Sequence, residues 1–326
     1  MTDPDNTLES TIGQVADFYQ TALTTLEKFI VGNRQVLDIV LTAFVANGHI
    51  LMEGVPGTAK TSIAKTLALI SGCNFNRIQG VVDLMPADML GVWIYDSTRS
   101  KFIPRYGPVF TNVLLVDEVN RINPKAQSAF IEAMSERQVT FDGVITPLPS
   151  PFFVIATQNP HEYEGTFPLI EVQRDRFMFS LRTSHLGTDD ELLIVRRSSE
   201  GLLGWKEFES RLRPVIDKTR LEKMIRGVEA VRMEEPVLAY IRDLVIASRE
   251  HGDVDLGASS RASIAFVHGS RARAAFAKRT YVLPDDVKAL VPYVLEHRIN
   301  LTPEAEVEGL HPHDIVQEII ETTEVS

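Results

Sequence analysis

The sequence predicts an α/β protein: a parallel sheet flanked by helices, carrying two β-hairpin insertions and followed by an all-helical C-terminal domain. Three observations predict it. Short apolar runs alternate with stretches of helical periodicity between Gln35 and Leu181, the order that builds a parallel sheet with right-handed crossovers. Polar residues stand at the carboxyl ends of several runs, where such sheets bind ligands. Beyond about Ser184 helical periodicity dominates and apolar strands disappear.

From Gln35 to Ala46, the residues Val36, Ile39, Val40 and Phe44 recur at helical spacing. "HILMEG" (His49 to Gly54) reads as a buried strand stopped by glycine, and helical residues resume from Lys60 through Leu69. "NFNRIQG", "NVLLVDE" (Asn112 to Glu118), "PFFVIATQNP" and "RFMFSL" (Arg176 to Leu181) supply four more strands. Between them, "PKAQSAFIEAMSER" is a helix with Pro124 suited to its first turn. "VWIYDSTRSKFIPRYGPVF" and "RQVTFDGVITPLPSP" alternate apolar and polar residues about a turn, as projecting hairpins do. In the C-terminal part, "PVLAYIRDLVIASREH", "SSRASIAFVHGSRARAAFAKR" and "LPDDVKALVPYVLEHRI" each predict one amphipathic helix, and the acidic tail beyond Asn300 is loosely patterned. The boundary near "TSHLGTDD" divides the chain into residues 1–184, an N-terminal helix and α/β core, and 185–326, the helical domain and tail.

With 326 residues the chain is long enough for two buried cores. Hydrophobic residues make up 44% and charged residues 24%, which excludes a disordered chain. The net charge of −11 argues against a broad nucleic-acid-binding face, which needs surplus Lys and Arg. Cys73 is the single cysteine, so an intrachain disulfide and a zinc knuckle are excluded, and a reducing compartment is expected. The acidic N-terminus lacks a secretion-signal profile, and Asp38, Asn47 and His49 interrupt the most apolar stretch. The expectation is a cytoplasmic protein with no membrane span.

"GVPGTAKT" (Gly54 to Thr61) departs by one residue from the phosphate-loop pattern G-x-x-x-x-G-K-[ST], with Ala59 in the second glycine's place. Its position between a strand and a helix is the context this pattern requires. Gly54, Val55, Pro56, Gly57, Thr58, Ala59, Lys60, Thr61 and Ser62 are the candidate nucleotide-binding residues. Backbone N–H groups there would cradle phosphate, aided by the helix N-terminus. Lys60 adds a cation, and the Thr61 hydroxyl is a candidate Mg²⁺ ligand. A left-handed backbone at Ala59 would cost roughly 1–2 kcal/mol. Asp117, ending a buried strand, is the second candidate Mg²⁺ ligand, and Glu118 is placed to deprotonate water. Asn159 can position that water with its amide, the alternative being a turn residue before Pro160. "HPHD" (His311 to Asp314) reads as a polar turn rather than a metal site, and Phe102, Tyr106 and Phe110 as hairpin packing or a client grip.

These residues resemble the AAA+ ATPases and, within them, the MoxR family. "GVPGTAKT" is similar to that family's Walker A, in which alanine before the lysine is usual. "LLVDEVNRINPKAQSAFIEAMSERQVT" resembles its Walker B and following helix, "ATQNP" its sensor-one strand, "EGTFPLIEVQRDRFMFS" its arginine-finger region and "GASSRA" its sensor-two motif, with Ser260 where proline is usual. The resemblance covers about Phe29 to His297. It implies an ATP hydrolase using ATP and Mg²⁺, assembled as a hexameric or related ring with nucleotide between subunits. The two hairpins would be the helix-two insert and the pre-sensor-one hairpin. Glu118, Asn159, Arg176 and Arg261 would be the catalytic residues, Arg176 reaching a neighbour's site with Arg174 as its competitor, and Arg261 linking the helical domain to the phosphates. The implied role is a remodelling chaperone acting on a client, often a protein with a von Willebrand factor A domain. The alternatives are a nucleic-acid motor and a nucleotide-gated scaffold with little turnover.

Overall fold

Two helices lead into the sheet, α1 (Pro4–Phe29) and α2 (Arg34–Val45). On α2 the residues Val36, Ile39, Val40 and Phe44 are buried, the face that the helical spacing marks. The computed structural model describes residues 4–32, 34–54, 59–141, 143–159, 165–183, 186–201, 208–210 and 212–325.

The core then runs β1 (Ile50–Gly54), α3 (Lys60–Ile70), β2 (Phe75–Gln79), α4 (Pro86–Leu90), β3 (Gly91–Asp96), β4 (Lys101–Tyr106), β5 (Val113–Asp117), α5 (Pro124–Glu136), β6 (Gln138–Phe141), β7 (Val144–Pro147), β8 (Phe153–Gln158), α6 (Glu171–Arg174) and β9 (Phe179–Thr183). Five strands form one parallel sheet in the order β2-β5-β8-β1-β9. Successive side chains of a strand point to opposite faces. On β5, Val113 and Leu115 accordingly enter one apolar cluster while Leu114 and Val116 enter another, and Phe153, Val154, Ile155 and Ala156 of β8 alternate in the same way. Helices cover both faces, which is why the strands read as continuous apolar runs. β3–β4 and β6–β7 are antiparallel hairpins outside the sheet, as the alternating patterns require.

The C-terminal part holds the helices Lys218–Glu229, Glu235–Glu250 and Ser260–Phe276. Two sequence expectations need correction there. The single helix expected over "LPDDVKALVPYVLEHRI" is broken into Pro284–Lys288, Val291–Leu295 and a 3-10 turn, Glu296–Arg298. Pro292 lacks an N–H and obstructs the preceding turn, so it is accommodated only by restarting a helix beside it. The tail is also ordered: Asn300–Leu301 pairs antiparallel with Val254–Leu256, and the helix Pro312–Thr322 buries Ile315, Val316 and Ile319. Those three residues pack towards Glu235–Glu250 and Val291–Leu295, an apolar face hidden in the sequence by acidic neighbours.

Helix α1 packs on α2 and α3 and also on Lys218–Glu229 and Ser260–Phe276. Its Ile12, Val15, Phe18 and Leu26 join one buried cluster with residues of both the sheet and the C-terminal helices. No helix among the described residues is long and apolar enough to cross a membrane.

Candidate active site

β1 ends at Gly54 with φ 144°, and a Cβ there would lie 2.2 Å from the Thr183 carbonyl oxygen. Only glycine allows β1 and β9 to converge so closely at their carboxyl ends. Val55, Pro56, Gly57 and Thr58 lie outside the described residues. The chain re-enters at Ala59, the N-cap of α3, with φ 57° and ψ 18°. Position 59 is therefore left-handed, and its methyl carries the penalty of roughly 1–2 kcal/mol raised by the sequence.

Lys60 opens α3, and its Nζ donates to the Gly54 carbonyl at 3.0 Å, tying the start of α3 to the end of β1. Burial lowers its pKa, while Asp117 and Glu118 act to raise it, so the ammonium stands in the field of both carboxylates. Thr61 and Ser62, partly exposed, complete the first turn.

The carboxylate pair closes β5. Asp117 Oδ1 accepts the Thr157 hydroxyl at 2.6 Å, and Oδ2 meets Arg77 at 2.7 Å. Glu118 turns away immediately, in a left-handed conformation with φ 56°. Its N–H donates to the Thr157 oxygen at 3.0 Å, and its Oε2 accepts from Gln79 Nε2 at 2.8 Å. A non-glycine residue held in that region stores strain, and such strain collects at functional sites. Gly80 permits the turn: its N–H donates to the Asp117 carbonyl at 2.7 Å, and a Cβ there would stand 2.0 Å from the Glu118 carbonyl oxygen. Asn159 follows β8, its carbonyl accepting from Asn120 Nδ2 at 3.3 Å.

Because the strands are parallel, Gly54, Ala59, Lys60, Thr61, Ser62, Asp117, Glu118 and Asn159 share one sheet edge. An ammonium, a first-turn hydroxyl, two carboxylates and an amide there suit a metal-bound polyphosphate, since Asp117 retains lone pairs beyond its two hydrogen bonds. Thr157, Arg77 and Gln79 belong to this site and were missed in the sequence. Only strand pairing brings them in, and no local pattern marks it: Gln79 pairs with Asp117, and Thr157 lies on β8, the strand beside β5.

Arg176 and Arg261 are not at that edge. Arg176 precedes β9, at the opposite, amino-terminal edge, where Arg137, Arg176, Arg261 and Arg298 line a groove of about 290 Å³. The Arg176 side chain makes no hydrogen bond or ion pair among the described residues. Arg174 is committed within the chain, donating to Asn300 Oδ1 at 2.9 Å and lying 3.9 Å from Glu171. Arg261 Nη1 lies 3.4 Å from Asp175 Oδ2. Burial pulls Arg298 down to about 10 even with Asp175 beside it. "HPHD" starts a helix: Asp314 accepts the His311 N–H at 2.9 Å, and His313 pairs with Glu296 at 2.8 Å.

A phosphate-loop edge on a parallel sheet, with two projecting hairpins and a C-terminal helical part, defines an ATPase of the AAA class. Residues 49–179 match the family described as "ATPase family associated with various cellular activities (AAA)", and residues 246–319 match an AAA lid domain. The chain is 42% identical over 304 residues to the uncharacterised protein YeaC of Bacillus subtilis, covering 93% of each. It is 36% identical over 312 residues to Chaperone MoxR1 of Mycobacterium tuberculosis, covering 93% of this chain and 81% of that one. The crystal structure of a candidate ATPase from Cytophaga hutchinsonii superposes with a TM-score of 0.90 at 36% identity, over 98% of each chain. The chain belongs to the MoxR family of AAA+ ATPases.

Proposed function

We propose that this protein hydrolyses ATP with Mg²⁺ in a ring of identical copies, a hexamer by family resemblance, and acts as a cytoplasmic remodelling chaperone in assembling partner complexes. The observation that carries this reading is the split between two edges. Lys60, Asp117 and Glu118 gather at the carboxyl ends of the strands, while Arg176 and Arg261 stand at the other edge, Arg176 without a partner among the described residues. A neighbouring copy supplies what one copy lacks.

Lys60 neutralises phosphate charge, while Gly54 and Ala59 shape the loop around it. Mg²⁺, held by Thr61 and Asp117, would supply Lewis-acid charge neutralisation at the phosphate oxygens. Glu118 takes a proton from the attacking water, and Asn159 aligns that water. Arg176 of the adjacent copy stabilises the charge that develops, an effect of about 10³–10⁵ in rate for arginine fingers elsewhere. Arg261, on the same edge as Arg176, acts towards that neighbouring site. The division at residues 184 and 185, which lie outside the described residues, separates core from lid.

The β3–β4 hairpin supports a client-handling role. Phe102 is 64% exposed and Tyr95 meets it edge-on at 5.4 Å, leaving an aromatic pair in solvent beside the turn, while Tyr106, 54% exposed, stands at the hairpin's base opposite Gly91. Phe110 is partly buried and packs under Tyr106. The partner is a protein with a von Willebrand factor A domain, a class the family resemblance implies.

The test is a pair of substitutions. Lys60→Ala is expected to abolish ATP binding, and Glu118→Gln to bind ATP without turning it over. Full hydrolysis in Glu118→Gln would remove that residue from the mechanism, and a pull-down with this variant should retain the client.

A further inference from the structure

Asp175 is where the sheet and the C-terminal helices are tied together. Its carboxylate accepts the Ser259 hydroxyl at 2.9 and 2.8 Å and Arg298 Nε at 2.8 Å, with Arg261 Nη1 at 3.4 Å. The Arg298 side chain is 2% exposed. It donates further to the carbonyls of Asp175 at 3.1 Å, Phe177 at 2.6 Å, Met178 at 3.2 Å and Val294 at 2.6 Å. A guanidinium buried to this degree needs such a full set of acceptors.

Three of those carbonyls belong to residues 175–178, the segment between α6 and β9. One side chain thus grips the backbone on both sides of Arg176, whose own side chain is left without a partner among the described residues. Ser259 has a second contact: its oxygen accepts the Arg261 N–H at 3.0 Å, capping the helix Ser260–Phe276. Arg176 and Arg261 are therefore suspended from one node, one residue and two residues from its members Asp175 and Ser259.

We propose that Asp175 is a positioning residue: through Ser259 and Arg298 it holds Arg176 and Arg261 as one rigid pair presented to the next copy's phosphate site. This rests on the reading above that these arginines complete a neighbour's site. The segment bearing Arg176 and the start of the Ser260–Phe276 helix then advance and retreat together, so a copy cannot offer one arginine without the other.

Two substitutions in the full chain test it. Ser259→Thr keeps both the hydroxyl and the cap. Ser259→Asp keeps a capping side chain but sets a second carboxylate against Asp175. Ser259→Asp is expected to lower kcat of the assembled protein about ten- to a hundred-fold, the scale of a small misplacement. It should leave the Kd for nucleotide of a single, unassembled copy unchanged, because the node does not reach that copy's own Lys60 edge, and speed amide deuterium exchange in residues 171–178. Ser259→Thr should match the unsubstituted protein in all three. Unchanged kcat and exchange in Ser259→Asp would overturn the proposal, as would a weakened Kd in the single, unassembled copy. A full chain that hydrolyses no nucleotide sinks the reading of activity alone. Exchange then decides: acceleration confined to 171–178 upholds the node, and none, or acceleration throughout the chain, overturns it.

Discussion

The Thr157 hydroxyl donates to Asp117 Oδ1 at 2.6 Å, fastening the end of β8 to the end of β5. The same oxygen receives the Glu118 N–H, so one side chain sets the positions of both acidic residues. Thr157→Val keeps the shape and removes the hydroxyl, leaving a donor and an acceptor unsatisfied at a position 2% exposed. The expected cost is about 1–3 kcal/mol in chemical denaturation. Nucleotide binding should lose much of its Mg²⁺ dependence, and an unaltered dependence would remove Thr157 from the site.

Ala59 adopts the left-handed conformation usually left to glycine. Ala59→Gly relieves the backbone penalty and adds chain entropy to the unfolded state, so stability should stay within about 1 kcal/mol of the original. Ala59→Val places a β-branched side chain where such residues are outliers and should cost more than about 2 kcal/mol. Denaturation midpoints of the two variants give the comparison, and equal midpoints would contradict the backbone assigned to residue 59.

His49 is buried, accepting the Val154 N–H at Nδ1 and facing the Met134 carbonyl with Nε2, each at 3.2 Å. Burial, with Arg137 adding to it, pulls its pKa from 6.5 down to about 3. The folded value lies below the unfolded one, so the unfolded chain takes up the proton first as pH falls. The His49 share of stability is whole above about pH 6.5 and is lost towards pH 3, by up to ~1.4 kcal/mol per pH unit. His49→Asn should flatten the fall in unfolding free energy between about pH 7 and pH 5, as measured by urea titration. An unchanged slope would move the acid sensitivity to His297, which burial shifts in the same direction.

Arg176→Ala subunits mixed with Lys60→Ala subunits should recover part of the hydrolysis that each lacks alone. The first keeps an intact phosphate loop and the second an intact Arg176, so only a mixed interface is complete. Arg174→Ala loses its bond to Asn300 and should show no such recovery. The reverse pattern, with Arg174→Ala complementing, would exchange the roles of the two arginines.

The sheet was legible because buried parallel strands need uninterrupted apolar runs, and those in "HILM", "NVLLV" and "FFVIA" all became strands. Both hairpins were legible from alternation about a turn. The carboxyl-edge group was legible because Asp117 ends an apolar strand, Glu118 and Asn159 directly follow one, and Lys60 opens the helix that comes after another. Thr157 and Arg77 were not: a polar residue within a strand acquires a role only from the strand beside it, and pairing order is not written locally. The tail was hidden because Ile315, Val316 and Ile319, set among acidic residues, form a face only once the helix exists. The separation of Arg261 from Lys60 depends on how the C-terminal helices seat on the sheet, which no short motif encodes.

The buried cluster that runs from Leu26 of α1 through Val40 and Ile63 to Leu244, Phe266 and Val294 has a consequence for how the chain can be altered. A continuous interior melts as one cooperative unit, so calorimetry should record a single peak. A hybrid that borrows its C-terminal helices from a relative must borrow α1 from the same relative, because α1 and the helices Lys218–Glu229 and Ser260–Phe276 were fitted to each other.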